Sequence, residues 1–322
     1  MKKLFPVVVA FILIAAGVAV LLTGSPVHVS KETVAASIPP VASLTRQIAG
    51  DHIEVVQILP AGASPHTYSL KVSDRENLEQ SALVFVIGHG IDDWVSGEFV
   101  EQERIVTLDR TIELLDYDDE HGHEGEEHEE EASHTEGEEH EEETGEEHEE
   151  HTGTDPHYWM SAGNAVLMAE TITEELKKLA PEHSEVFDAN LDRLRTELLA
   201  LRDDAATRFS QVSDPEIITF HDAFSYFADE TGIEIVASIE EFPGREPSAA
   251  YLQSVGEQIT ENNVTVLFKE PQLSDAVIQP LADDYGASVY TLDPLGGTSE
   301  RMAYQDMYRY NVETLLQAFA GR

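Results

Sequence analysis

The chain contains no cysteine. Disulfides, thiolate metal sites and cysteine nucleophiles are therefore excluded, as is a lipid-modified cysteine behind a leader. Basic residues are scarce. Nineteen Lys and Arg stand against 63 Asp and Glu, giving a formal net charge of −44 over 322 residues. Such a surface repels phosphate backbones, which argues against nucleic acid as a partner, and it attracts cations. Part of the excess is local. Residues 116–151 hold 20 acidic side chains and no Lys or Arg, which leaves 43 acids against all 19 bases elsewhere. The rest of the chain is thus acidic in its own right. Three catalytic motifs are also missing: the His-Glu-x-x-His pair of zinc proteases, the Gly-x-Ser-x-Gly elbow and the P-loop. Metalloprotease chemistry, elbow-type serine hydrolysis and ATP hydrolysis have no motif to rest on, and an enzyme is not expected.

Long apolar runs are confined to the N-terminus. Met1-Lys2-Lys3 precedes an uncharged, mostly apolar stretch from Leu4 to Leu22. Its 19 residues exceed the roughly 15 of a signal-peptide core and approach the roughly 20 of a spanning helix. Small residues follow at Thr23-Gly24-Ser25, but Pro26 stands where a mature chain would begin. Residues 1–25 are read as an uncleaved membrane anchor through residues 4–22, with a removed signal peptide as the alternative. Either places Val27 onward outside the cytoplasm.

The length suffices for two domains with cores of their own. Residues 26–37 read as a tether. Then strands at 54–59, 82–87 and 104–108 alternate with helical stretches. The run Ala82 to Ile87 is continuously apolar, as expected of a strand covered on both faces. The 116–151 segment interrupts this rhythm. It carries no apolar periodicity to offset the entropy of ordering it, and it reads as a disordered insertion. Order resumes at Asp155, with an amphipathic helix over 165–179. A longer helix begins at Pro181, with its apolar stripe at Phe187, Leu191, Leu194, Leu198, Leu201, Ala205 and Phe209. Strands at 216–220, 234–239, 264–268 and 288–292 then alternate with helices at 223–231, 249–262, 274–285 and 301–320. The pattern predicts an α/β fold with parallel sheets. Two similar Rossmann-like lobes, 26–180 and 210–322, are joined by one long rigid helix over 181–209.

In open α/β sheets ligands bind beyond the carboxyl ends of the strands. Four ligand-type residues occupy such places. His66 lies in the loop after the strand at 54–59, His221 directly follows 216–220, and Asp293 directly follows 288–292. His157 sits in a loop leading into a helix. If the lobes face each other, these residues converge in the interlobe cleft. Three imidazoles and one carboxylate form a set suited to Zn²⁺, and imidazole also serves copper, nickel and iron, while manganese prefers a more oxygen-rich set.

The residues around these positions carry a resemblance. Gly62-Ala63-Ser64-Pro65-His66-Thr67-Tyr68, Asp155-Pro156-His157-Tyr158-Trp159-Met160 and Phe220-His221-Asp222-Ala223-Phe224-Ser225-Tyr226-Phe227 are followed by Glu246-Pro247-Ser248-Ala249, Phe268-Lys269-Glu270-Pro271-Gln272 and Leu292-Asp293-Pro294-Leu295-Gly296. In order and content they resemble the metal-binding solute receptors of ABC transporters, most closely the zinc-uptake branch. The resemblance covers nearly the whole chain after about residue 30. It implies two α/β lobes joined by a long helix, metal in the cleft, and a monomer that captures Zn²⁺ outside the cell and delivers it to a membrane permease. Zinc is then cargo. The family's ligands carry over to His66, His157 and His221, and its acidic fourth position to Asp293; coordination by Asp293, by Glu270 or by a water remain alternatives there. The manganese branch places a glutamate where this chain has His221, so a manganese or iron receptor is the runner-up. A zinc-dependent hydrolase with Glu270 as base, or a surface adhesin, are further alternatives. Lipid-anchored members carry a cysteine where this chain has Pro26.

Asp222 and Asp155 lie near His221 and His157 in sequence and are candidates to hold those rings; for Asp155, helix capping competes. Tyr158 and Trp159 are read as core, with walling the site from water as the alternative. His52, His89 and His183 are read as ordinary surface or loop residues. The zinc branch commonly carries a His- and acid-rich insertion, which matches 116–151. That segment holds seven histidines, His121, His123, His128, His134, His140, His148 and His151. It is expected to act as a low-affinity metal collector, with a solvated charged loop as the alternative.

Overall fold

The computed structural model describes residues 32–95, 100–116, 153–240, 244–274 and 276–321. The N-terminal 1–25 segment and all but the first residue of the 116–151 insertion lie outside the described residues. Among the described residues no helix is long and apolar enough to cross a membrane.

The first half comprises β1 (Thr33–Ala36), α1 (Pro39–Ala49), β2 (Glu54–Gln57), α2 (Val72–Gln80), β3 (Leu83–Val86) and β4 (Ile105–Thr107). The strands form a parallel sheet in the order β2-β1-β3-β4. β1 corrects the expectation that 26–37 is a tether. Its four residues are too few to show a period, but β2 and β3 pair with both of its edges, and Val34, Ala35 and Ala36 are fully buried. Strand character here comes from non-local pairing rather than local pattern.

Two helices follow the insertion. α3 (Ala162–Leu179) is capped by Ser161, whose side chain accepts from Asn164 N–H at 3.0 Å. Pro181 opens a single 3₁₀ turn, and α4 (Ser184–Phe209) runs on for 26 residues, about 39 Å at 1.5 Å per residue. The predicted stripe of α4 is the buried one, with Leu201 only partly covered. It packs on α1 and α3 and also on elements of the second half. α4 is therefore a spine shared by both halves.

The second half comprises β5 (Glu216–Thr219), α5 (Ser225–Thr231), β6 (Glu234–Ser238), α6 (Ala249–Glu261), β7 (Val266–Lys269), α7 (Ile278–Tyr285), β8 (Ser288–Thr291) and α8 (Tyr304–Ala320). Its parallel sheet has the order β6-β5-β7-β8, the same permutation as the first. Strand ends differ from the expected ones by a residue or two.

One apolar core runs from Val34 and Phe85 in the first half through Trp159 and Phe187 to Phe268, Leu292 and Tyr308 in the second. Buried polar contacts cross the same boundary. Glu230 of α5 accepts from Ser161 Oγ at 2.7 Å and from the backbone N–H of Ala162 and Gly163 at 2.9 and 2.8 Å. It thereby satisfies orphan donors at the positive end of α3. Tyr308 donates to the same carboxylate at 2.9 Å; burial and the nearby negative charge push its hydroxyl pKa well up, so it stays a donor. Tyr304 Oη donates to Trp159 O at 2.7 Å, and Trp159 Nε1 to Pro294 O at 2.8 Å. At Gly297, φ is +75° and an added Cβ would lie 2.8 Å from Pro39 Cβ, so the residue permits close approach of the two halves.

Candidate metal centre

The chain leaves β2 through a loop whose first residues continue the sheet, Ile58 N–H to Ala36 O and Leu59 N–H to Ser37 O. A turn closed by Ala63 N–H to Pro60 O leads into a 3₁₀ turn over Pro65–Thr67, with proline at its start. Trp94 Nε1 donates to Pro65 O at 3.2 Å and steadies this turn. His66 is its half-buried middle residue.

His157 follows the insertion. Asp116 and Thr154 form an antiparallel bridge, and Asp155 N–H donates to Leu115 O at 2.8 Å, so the chain on either side of the insertion is brought together. Tyr226 of α5 clamps this neck. Its hydroxyl accepts from Leu115 N–H at 2.8 Å and donates to Asp155 O at 2.9 Å. Asp155 in turn holds His157: its Oδ1 accepts from the His157 backbone N–H at 2.8 Å and lies 2.8 Å from Nδ1. Asp155 is thus a histidine-orienting carboxylate. Tyr158 and Trp159 are buried, as expected, and Tyr158 Oη donates to Ile87 O at 2.8 Å.

His221 stands two residues past the end of β5 and is buried. Its Nδ1 lies 2.6 Å from Glu270 Oε1, and Glu270 directly follows the adjacent strand β7. Asp222 does not take this role; it accepts from Ser225 Oγ at 2.9 Å. Burial alone would lower the His221 pKa. Glu270, Asp222 and Glu240 outweigh it and the net shift is upward. Glu240, which follows β6, is itself shifted upward by burial, with Glu270 adding to it and Gly244 N–H and His221 opposing it. No expectation named Glu240, although a carboxylate just past a strand end is the signal that picked out the others.

The three imidazoles meet. Ring centroids are 5.4 Å apart for His66–His157, 5.3 Å for His66–His221 and 5.2 Å for His157–His221. One ligand atom from each lies within 4.8 Å of the others. His66 Nε2 and His157 Nε2 are 3.3 Å apart. Two nitrogens bound to one tetrahedral zinc at 2.0–2.1 Å stand about 3.4 Å apart, so this pair already has a ligand spacing. With Nδ1 of His157 and of His221 engaged by carboxylates, Nε2 is the nitrogen left for a cation, the usual arrangement for metal-binding imidazole. His221 Nε2 is buried and has no hydrogen-bond partner among the described residues. The three rings line one cavity together with Trp159, Glu270 and Gln272.

Asp293, the expected acidic fourth position, is not among the grouped donors. Its Oδ1 accepts from Gln272 Nε2 and from Leu295 and Gly296 N–H, and its Oδ2 is 2.7 Å from Arg301 Nε. β7, whose following residue Glu270 meets His221, neighbours β5, whereas β8 is one strand further out. His89 pairs with Asp109 at 2.8 Å, and the His52 and His183 rings lie 4.0 Å apart at a tilt of 32°, all outside the cavity.

Residues 34–318 match the family described as zinc-uptake complex component A, periplasmic. The chain belongs to this family. It is 29% identical over 281 residues to a high-affinity zinc uptake system protein of Yersinia pestis, a match covering 86% of this chain and 87% of the relative. It is 28% identical over 271 residues to a zinc-binding lipoprotein of Streptococcus pneumoniae; that match covers 81% of this chain but only 49% of the relative. A crystal structure of ZnuA superposes with a TM-score of 0.73 at 25% identity, covering 90% of this chain and 99% of that one.

Proposed function

We propose that this family member captures Zn²⁺ outside the cytoplasm on His66, His157 and His221 and delivers it to the membrane permease of an ABC transporter. Zinc is the cargo, and the protein is a receptor rather than an enzyme. The observation that carries the assignment is the grouping of three imidazoles from two separate loops and a strand end, with ligand atoms within 4.8 Å. Neutral nitrogen donors in a buried pocket favour zinc over harder cations. Asp155 and Glu270 keep two of the rings in the ligating tautomer and raise their basicity as donors.

The receptor acts as a monomer, held at the outer face of the membrane through residues 4–22. Its lobes are 26–180 and 210–322, with the helix 181–209 between them. Docking on the permease loosens the cavity so that the ion leaves. Competition of Zn²⁺ against a chromophoric chelator tests the ligand assignment. One tight site per chain is expected, lost in His66→Ala and in His221→Ala. Unchanged tight binding in both variants would place the site elsewhere.

A further inference from the structure

We infer that Gln272 determines specificity at this metal site, its side-chain oxygen taking the fourth contact of the bound ion, and that Asp293 is the positioning residue that aims it. The inference rests on the three-histidine assignment above. Gln272 lies three residues beyond β7, two past Glu270, and lines the same cavity as the three imidazoles. Its Nε2 donates to Asp293 Oδ1 at 3.1 Å. That contact fixes which end of the amide is which. A carboxylate paired with Arg301 only accepts, so the NH₂ must face Asp293 and the oxygen must face the other way. The oxygen is buried and has no hydrogen-bond partner among the described residues. Buried amide oxygens are almost always paired, and one that faces a cavity lined by three imidazoles is placed to accept a water or contact an ion there. Of the residues lining the cavity, Gln272 and His221 are the two that carry such an atom among the described residues.

Three imidazoles leave one position of a tetrahedral ion for an oxygen. Gln272 offers that position a neutral one, as a direct ligand or as the acceptor for a water on the ion. The carboxylates of Asp155 and Glu270 engage the histidines instead. All contacts to the ion are then with uncharged donors. A neutral donor set holds a dication less tightly than one containing a carboxylate, which suits a carrier that must release its cargo. Asp293 thereby acts through the amide of Gln272. Its carboxylate is fixed by Arg301, which also lies over the Tyr310 ring, and by the backbone of Leu295 and Gly296.

The test titrates the full chain with Zn²⁺ alone and with Co²⁺ alone, reading chelator competition and the visible Co²⁺ spectrum. Gln272→Met keeps the length and removes the oxygen; Gln272→Ala is the second variant should Met perturb folding, which thermal unfolding reports. Zinc affinity is expected to fall about 10- to 100-fold at unchanged Tm, the range seen when a supporting group of a metal site is lost. A changed Co²⁺ spectrum would make the oxygen a direct ligand, and an unchanged spectrum with weakened binding would make it the acceptor for a bound water. Asp293→Asn frees the amide to flip and is expected to weaken zinc in the same direction. Wild-type affinity and spectrum in folded Gln272→Met and Gln272→Ala would overturn the inference. If His66→Ala abolishes binding in the same series, the histidine site stands regardless; if His66→Ala also binds normally, the site itself is misassigned.

Discussion

The two halves of the chain build the same sheet but support their histidines differently. His221 stands two residues past the end of β5, and the carboxylate that holds it, Glu270, stands at the end of the neighbouring strand β7. Two adjacent strand ends therefore define its position. In the first half, His66 and His157 are delivered by loops. His66 sits in a 3₁₀ turn nine residues beyond its strand, and His157 hangs on a neck pinned by Tyr226 and oriented by Asp155, two residues away. Each half uses a carboxylate to orient an imidazole. One is held by sheet pairing and the other by a hydroxyl bridge contributed by α5 of the opposite half. Removing a ring should cost the same on both sides, whereas disturbing its support should not.

The largest effect should come from the rings. His221→Ala and His66→Ala are both expected to lose tight zinc binding, by more than about 100-fold in chelator competition, since each supplies one of three protein donors. A large loss in one with near-normal binding in the other would break the symmetry. Replacing His221 by Glu exchanges a nitrogen for an oxygen donor and should move the Zn²⁺/Mn²⁺ affinity ratio toward manganese. A ratio unchanged from wild type would show that His221 does not set selectivity.

The supports come next. Glu270→Gln and Asp155→Asn are each expected to weaken zinc by about 10- to 100-fold. They should separate in thermal unfolding. Asp155 also accepts the His157 backbone N–H, so Asp155→Ala, which removes that acceptor, should lower Tm, whereas Glu270→Gln should leave Tm nearly unchanged. The smallest effect is expected at the neck. Tyr226→Phe removes the hydroxyl that joins Leu115 N–H to Asp155 O, at a cost of about 1 kcal/mol in denaturant unfolding. It should weaken zinc less than Asp155→Asn does. An equal or larger loss of affinity would mean that the neck, rather than the carboxylate, sets the His157 geometry.

The same asymmetry decides how much was legible in the sequence. Period and apolar runs gave the six helices α3 to α8 and seven of the eight described strands, because those elements follow local patterns, whereas α1 was not named. β1 escaped because four residues show no period and its strand character comes from two partners. His66, His157 and His221 were legible as residues placed at strand ends and helix starts, and the family resemblance singled out the same three. Their supports were less so. A sequence displays which residues end strands but not which strands are neighbours. Glu270 and Asp293 both follow strands of the second sheet, and the order β6-β5-β7-β8 puts the strand of the first beside that of His221 and the strand of the second one place further out. The Tyr226 clamp was invisible for a similar reason, since 111 residues separate it from Leu115.

The acidic, histidine-rich run that dominates the composition is not needed for this account of tight binding. The most direct measurement is a Zn²⁺ and Mn²⁺ competition titration of the chain lacking residues 117–152, which retains both partners of the Asp116–Thr154 bridge. One tight zinc site that disappears in the same protein carrying His66→Ala would place capture in the cleft on three imidazoles. Loss of tight binding on deletion alone, with His66→Ala without effect in the full chain, would contradict it and make the repeats the receptor.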